Sequence, residues 1–212
     1  MTGINSLKNA KPENRNRRVV PVIMAVSKES RSFKGKEKVS FLSAYARRAL
    51  AVSAEQSGIE LGSLLKGENG APIPFDGYYW SLSHKSEYVA GVVARDRIGI
   101  DIEKIRPCSE ALFTRIADKA EWDLVSGDRF RNFFRYWTSK EAVLKAEGIG
   151  IKGLPHCCIG QVLSDNSLVV NYMDNEWALE HYFFNGHIAS IVTTGDPVNW
   201  VLLKSDEDTN RN

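Results

Sequence analysis

The chain has 212 residues, 43% hydrophobic and 25% charged, with 28 Lys and Arg against 26 Asp and Glu for a formal net charge of +2. The apolar content and 10% aromatics exclude a mainly disordered chain and suffice for one sizeable core or two small fused ones. A charge balance this even lacks the basic excess of a duplex-binding domain, so nucleic acid is not an expected partner.

Residues 1–18 are polar and basic (Lys8, Lys11, Arg15, Arg17, Arg18) and read as a flexible N-terminus. A first strand is expected over 19–26, with Pro21 favouring an edge or the strand's beginning. Residues 36–57 carry a helical pattern in which Val39, Leu42, Ala46, Ala49, Leu50 and Ser53 recur at steps of three and four. Arg47 and Arg48 sit on that helix, and Gly58 can end it. The stretch GENGAPIPFDGY, 67–78, reads as a loop. It is followed by Trp80-Ser81-Leu82-Ser83-His84-Lys85, a strand over 88–94, the polar turn Arg95-Asp96-Arg97 and a strand over 98–103.

Helical segments are expected over 110–126 and, more strongly, over 129–147, stopped by Gly148 and Gly150. The remainder reads as an antiparallel meander with strands over 167–173, 177–184, 187–193 and 199–203, then a solvated tail over 205–212. The longest apolar runs are strand-sized, well short of the ~20 residues of a membrane span. No secretory signal core opens the chain. Cys108, Cys157 and Cys158 have neither a disulfide framework nor zinc-ligand spacing, so reduced thiols in a cytoplasmic protein are expected.

Long helix then strands, twice over, predicts an α+β fold of two halves, 19–97 and 98–204, each a long helix on a small, mainly antiparallel sheet. Val89-Ala90-Gly91-Val92-Val93 aligns class for class with Ile188-Ala189-Ser190-Ile191-Val192, which points to pseudo-duplication.

Three places stand out chemically. In Ile98-Gly99-Ile100-Asp101-Ile102-Glu103, strand alternation puts the isoleucines on one face and Asp101 and Glu103 on the other, ~6.5–7 Å apart at Cα. Two such carboxylates can share a hard cation, although an arbitrary D-x-E is more often a solvated acidic face. In the helix over 129–147, taking about 100° per residue from Trp137, Glu141 falls near +40°, among Phe130, Phe133, Phe134 and Leu144. A carboxylate buried there needs a cation or donor, whereas an ordinary surface Glu–Lys pair with Lys145 belongs opposite the aromatics. Finally, Ser83-His84, placed before a strand and after a Pro/Gly loop, can donate to phosphate oxygens or be a capped loop histidine.

In this order, Ser83-His84, Gly99-Ile100-Asp101-Ile102-Glu103 and Trp137-Thr138-Ser139-Lys140-Glu141-Ala142, with Lys145 and Gly148-Ile149-Gly150, resemble the 4′-phosphopantetheinyl transferase superfamily. The chain's length is similar to that of the longer, monomeric class with two fused halves. The resemblance implies transfer of phosphopantetheine from coenzyme A to a serine of an acyl or peptidyl carrier protein, as in fatty-acid, polyketide or nonribosomal-peptide synthesis. Adenosine 3′,5′-bisphosphate is the other product.

It also implies Mg²⁺, with Mn²⁺ possible, on Asp101, Glu103 and Glu141; Glu141 taking the serine proton; and Lys145 acting on the departing phosphate. Lys140 would lie against the diphosphate, and Ser83, His84 and Lys85 would face coenzyme A, His84 on a phosphate. Arg47 or Arg48, with Lys66 or Lys85, would hold the 3′-phosphate and adenine side. Arg115, Lys119, Arg129, Arg131 and Arg135 are the exposed basic candidates for an acidic carrier protein. Rival readings are a Mg²⁺-dependent phosphodiesterase acting on nucleotides and a non-catalytic coenzyme A-binding module.

Overall fold

The computed structural model describes residues 18–205. The expected loose N-terminus, apart from Arg18, and the expected tail, apart from Ser205, lie outside the described residues.

The first long helix, α1 (Gly35–Gln56), turns Leu42, Ala46, Ala49, Leu50 and Ser53 inward at the spacing read from the sequence, with Tyr45 beside them, whereas Val39 of the same pattern is exposed. It packs on a sheet of four strands: β1 (Val22–Ala25), β2 (Tyr79–His84), β3 (Tyr88–Ala94) and β9 (Val201–Leu203), in the order β2-β3-β1-β9. A Cβ on Gly91 of β3 would overlap the Leu50 backbone, so glycine there lets helix and sheet approach.

The second half is built the same way. The helix α4 (Arg129–Glu147) begins at Asp128, whose carboxylate accepts from the Phe130 and Arg131 amides, and ends at the left-handed Gly148. Its sheet has the order β4-β8-β7-β6-β5, antiparallel throughout. These strands are β4 (Ile100–Lys104), β5 (Cys157–Ser164), β6 (Ser167–Tyr172), β7 (Asn175–Phe184) and β8 (His187–Thr193). The two sequence-matched stretches occupy corresponding places: β3 and β8 are each interior strands beneath their half's long helix. Where β3 has Gly91, β8 has Ser190, whose hydroxyl meets Thr138 Oγ1 of α4 at 2.6 Å.

Four readings of the sequence need correction. Residues 199–203 do not close the second meander. Their strand β9 runs parallel to β1, so the last described strand lies in the sheet that holds the first. Segment 79–84 is a full strand, β2, paired along β3, although its serines and histidine break apolar alternation. β5 leaves no clear strand pattern in the sequence because register shifts after Ile159 and Val162 disrupt its period of two. The helix expected over 110–126 is two short ones, α2 (Glu110–Ile116) and α3 (Lys119–Trp122), because Asp118 and Glu121 form a capping box that restarts the chain.

The halves meet where the edge strands β2 and β4 run side by side. Ser81 Oγ accepts from Ile100 N at 3.1 Å and Ser83 Oγ from Ile102 N at 3.2 Å. Serine hydroxyls thereby satisfy edge amides that no ladder reaches. Beneath this seam Ile98, Ile100 and Ile102 join Ile23, Ala90 and Ile191 in one core shared by both halves. Among the described residues, no helix is long and apolar enough to cross a membrane.

Candidate active site

The seam between β2, β4 and α4 gathers most of the residues singled out in the sequence. Alternation along β4 buries Ile100 and Ile102 and turns Asp101 and Glu103 toward α4. That acidic face is not solvated: Asp101 is only 5% exposed. Its Oδ1 accepts from Ser83 Oγ at 2.8 Å and from Lys145 Nζ at 2.7 Å, while Lys145 also donates to Ile100 O at 3.0 Å. Glu103 Oε1 accepts from the Trp137 indole N–H at 3.0 Å and lies 2.6 Å from Lys85 Nζ.

Trp137, Glu141 and Lys145 follow one another at successive turns of α4 and form the helix's half-buried line. Burial pushes the Glu141 carboxyl above its usual range, and the Asp101 and Glu103 carboxylates push the same way against Lys145 and Lys85. Among the described residues, no three His, Cys, Asp or Glu side chains are grouped closely enough, as placed, to hold a metal ion. By donor type and charge the three carboxylates nonetheless suit a hard divalent cation, which would relieve the repulsion felt at Glu141.

His84, at the end of β2, is held below the usual histidine range by burial first, then by Lys145, Lys85 and Lys66. Beside this cluster lies a cavity of about 210 Å³. Its walls are the hairpin 66–72, the β2 residues Trp80 and Ser81, and the α4 end at Leu144, Lys145 and Gly148. Two adjacent arginines of α1 part company here, as the ~100° step between helix neighbours requires. The Arg47 guanidinium lies 5.9 Å from the Trp80 ring centroid and donates to Leu64 O, whereas Arg48 lies over Tyr45.

Sequence comparison agrees with this geometry. Residues 97–192 match the 4′-phosphopantetheinyl transferase superfamily. That match covers a little under half of the chain. Similar proteins include 4′-phosphopantetheinyl transferase psf-1 of Bacillus pumilus, 37% identical over 89 residues, which are 39% of this chain and 38% of that protein. Another is 4′-phosphopantetheinyl transferase HetI of Nostoc sp. (strain PCC 7120), 41% identical over 37% of this chain and 36% of the relative. A third is 4′-phosphopantetheinyl transferase AcpT of Escherichia coli O157:H7, 34% identical over 42% of this chain and half of the relative. The matched stretches therefore span half or less of these three proteins.

The matched region contains two residues that the structure moves away from their expected places. Lys140, expected against a diphosphate, is 1% exposed and points into the core of the second half. Its ammonium donates to Ile116 O and Glu121 Oε1, both at 2.6 Å. The sequence pattern hid this because the short helices α2 and α3 wrap α4 on that side, burying the helix almost all round. Arg135, expected on the surface, is 4% exposed and donates to Ser164 O and Ser167 O.

Outside that region, Ser83 lies at the seam, but its hydroxyl is committed to Asp101 and the β4 backbone, so it orients a carboxylate. The reading from sequence treated Trp137 only as an apolar residue and missed its indole N–H on Glu103. Its place one turn before Glu141 was the available signal.

Proposed function

We propose that this chain transfers the 4′-phosphopantetheine arm of coenzyme A to a serine hydroxyl of an acyl or peptidyl carrier protein, releasing adenosine 3′,5′-bisphosphate. The observation that carries this reading is the meeting of Asp101, Glu103, Glu141 and Lys145 on one seam, beside a cavity rimmed by lysines. The names of the relatives, all 4′-phosphopantetheinyl transferases, support the same activity.

Asp101, Glu103 and Glu141 would hold Mg²⁺, or Mn²⁺, which accepts the same oxygens. Bound there, the cation supplies neutralisation of the diphosphate charge. Glu141 would take the serine proton directly or through a water. The serine oxygen then bonds to the phosphorus of the pantetheine phosphate as the P–O bond to the bisphosphate breaks. Lys145, steadied by Asp101 and Ile100 O, stabilises the phosphate that departs.

A neutral His84 donates an N–H to a coenzyme A phosphate, and Lys66 and Lys85 add positive charge around it. Arg47, not Arg48, serves the 3′-phosphate and adenine side, because Arg47 reaches Trp80 at the cavity wall. At about 210 Å³ the cavity is smaller than the roughly 300–1,000 Å³ of pockets that enclose a whole ligand, so it takes one end of the coenzyme.

Coenzyme A thus lies between the halves 19–97 and 98–204, with β9 returned to the first. The exposed Arg115, Lys119 and Arg129, with the half-buried Arg131, meet an acidic carrier and raise its rate of encounter. The enzyme acts as a monomer, since both sides of the cleft come from one chain, and in the cytoplasm, where its three free cysteines stay reduced.

The test is chromatographic assay of adenosine 3′,5′-bisphosphate from coenzyme A and Mg²⁺, with and without an apo carrier protein. Release that depends on the carrier is expected. Equal release without it, to free phosphopantetheine, means hydrolysis and overturns the proposal.

A further inference from the structure

The cavity beside Lys145 has walls from opposite halves of the chain, and one side chain joins them across the mouth. The hairpin 66–72 is tightly made: Gly67 N donates to Ala71 O, Gly70 N donates to Gly67 O, and Lys66 pairs with Pro72. Gly70, at φ +78°, supplies the left-handed turn. Asn69 sits at the tip and uses both ends of its amide. Its Oδ1 accepts from Ala71 N at 3.1 Å, which folds the tip, and its Nδ2 donates to Gly148 O at 2.8 Å.

Gly148 lies 79 residues away, just past the last turn of α4, with φ +72°. The two walls come so close that a Cβ on Gly148 would stand 3.3 Å from the Ala71 Cβ. The base of the hairpin is pinned separately, by the Trp80 indole N–H on Ile73 O at 2.9 Å. Only the tip therefore depends on Asn69. Three residues before Gly148 on the same helix end comes Lys145, and at the hairpin base comes Lys66.

We propose that Asn69 is a positioning residue for the coenzyme: its amide latches the hairpin tip to the end of α4 and sets the shape of the cavity wall between Lys66 and Lys145 before the nucleotide arrives. The inference rests on the coenzyme A reading above. A hairpin that must be ordered on binding loses affinity by the cost of ordering, whereas a latched one has already met it. The latch touches none of Asp101, Glu103 or Glu141, and Lys145 is held separately by Asp101 and Ile100 O, so loss of the latch acts on binding and leaves the transfer step alone.

The variant Asn69→Ser keeps a hydroxyl short enough to accept from Ala71 N, adds no charge beside an anion site, and cannot reach Gly148 O. Asn69→Ala removes both bonds. Each is made in the full chain and assayed by calorimetric titration with coenzyme A and with adenosine 3′,5′-bisphosphate. Steady-state transfer and hydrogen exchange at residues 67–73 complete the set.

From the net worth of one hydrogen bond, Asn69→Ser should raise both dissociation constants and KM by about two- to tenfold. Its kcat should stay within about twofold of wild type, with faster exchange at Gly70 and Ala71. Unchanged exchange, or faster exchange with unchanged affinity, overturns the latch. So does a fall in kcat at constant KM. A wild-type chain that binds neither ligand overturns the coenzyme A reading itself, which is a different outcome from equal binding by wild type and variant.

Discussion

Replacing Lys140 with methionine separates a structural lysine from a substrate-binding one. In the folded chain its ammonium is 1% exposed and shared between Ile116 O and Glu121 Oε1, each at 2.6 Å. Glu121 is itself 8% exposed, and its carboxylate also accepts from Ile159 N at 2.7 Å and Asp118 N at 3.0 Å. This one pair therefore ties α2, α3, α4 and β5 together.

Removing one partner of a buried ion pair costs about 3–5 kcal/mol, because the other charge stays behind in the low-dielectric interior. The two backbone amides left on Glu121 place Lys140→Met at the lower end, about 3 kcal/mol. That is a large share of a total stability of roughly 5–15 kcal/mol. Urea unfolding followed by circular dichroism should show a midpoint lower by about 1–1.5 M, for a slope near 2–3 kcal/mol/M. Adding Glu121→Gln to Lys140→Met removes the stranded charge and should recover part of the loss. The affinity of the folded variant for coenzyme A should be unchanged. A loss under about 1 kcal/mol together with a tenfold weaker affinity would return Lys140 to the diphosphate.

Other consequences follow from the same contacts. Gly99→Ala places a Cβ into the Ala142 carbonyl and 2.8 Å from Ala146 N, prying α4 off β4. It should cost about 3 kcal/mol and abolish transfer by parting Glu141 from Asp101, and a stable, active variant would contradict that packing. His181, 3% exposed, is held down to about 3 by burial first, then by Arg135 and Arg131, against 6.5 when unfolded. Its neutral form therefore adds stability that is complete above pH 6.5 and is lost by about 1.4 kcal/mol per pH unit on the way down to about 3. Urea midpoints at pH 7, 6 and 5 should fall more steeply for wild type than for His181→Asn, and parallel curves would count against the burial argument. Arg47→Ala should weaken coenzyme A binding several-fold in a titration while Arg48→Ala leaves it within about twofold, and equal losses would undo the assignment by helix face.

The sequence carried the site better than it carried the fold around it. Alternation put Asp101 and Glu103 on one side of a strand, and a period of 3.6 put Trp137, Glu141 and Lys145 on one line of a helix; both survive in the structure. Those signals are local, so they are written in the spacing. Lys140 and Arg135 went astray because what buries them comes from elsewhere in the chain: Glu121 on α3 for one, the Ser164 and Ser167 carbonyls for the other.

β9 lies in a different sheet from the one its sequence position suggests for the same reason, since a strand's own residues do not name the neighbour it will pair with. Trp137 was legible in position but not in role, because the indole N–H matters only once Glu103 is seen opposite. Asn69 lay in a loop that reads as punctuation, and its partner 79 residues away leaves no mark in the local pattern.

Under the proposed function, the carboxylate-lysine seam moves phosphopantetheine from coenzyme A to a carrier serine. Intact-mass spectrometry of an apo carrier protein incubated with the chain, coenzyme A and Mg²⁺ tests it most directly, with Glu141→Gln as the matched control. A gain of one phosphopantetheine on the carrier serine is expected, lost with EDTA and lost with the folded Glu141→Gln variant. No gain across acyl and peptidyl carriers, from a folded chain that binds coenzyme A, or full turnover by Glu141→Gln, would contradict it.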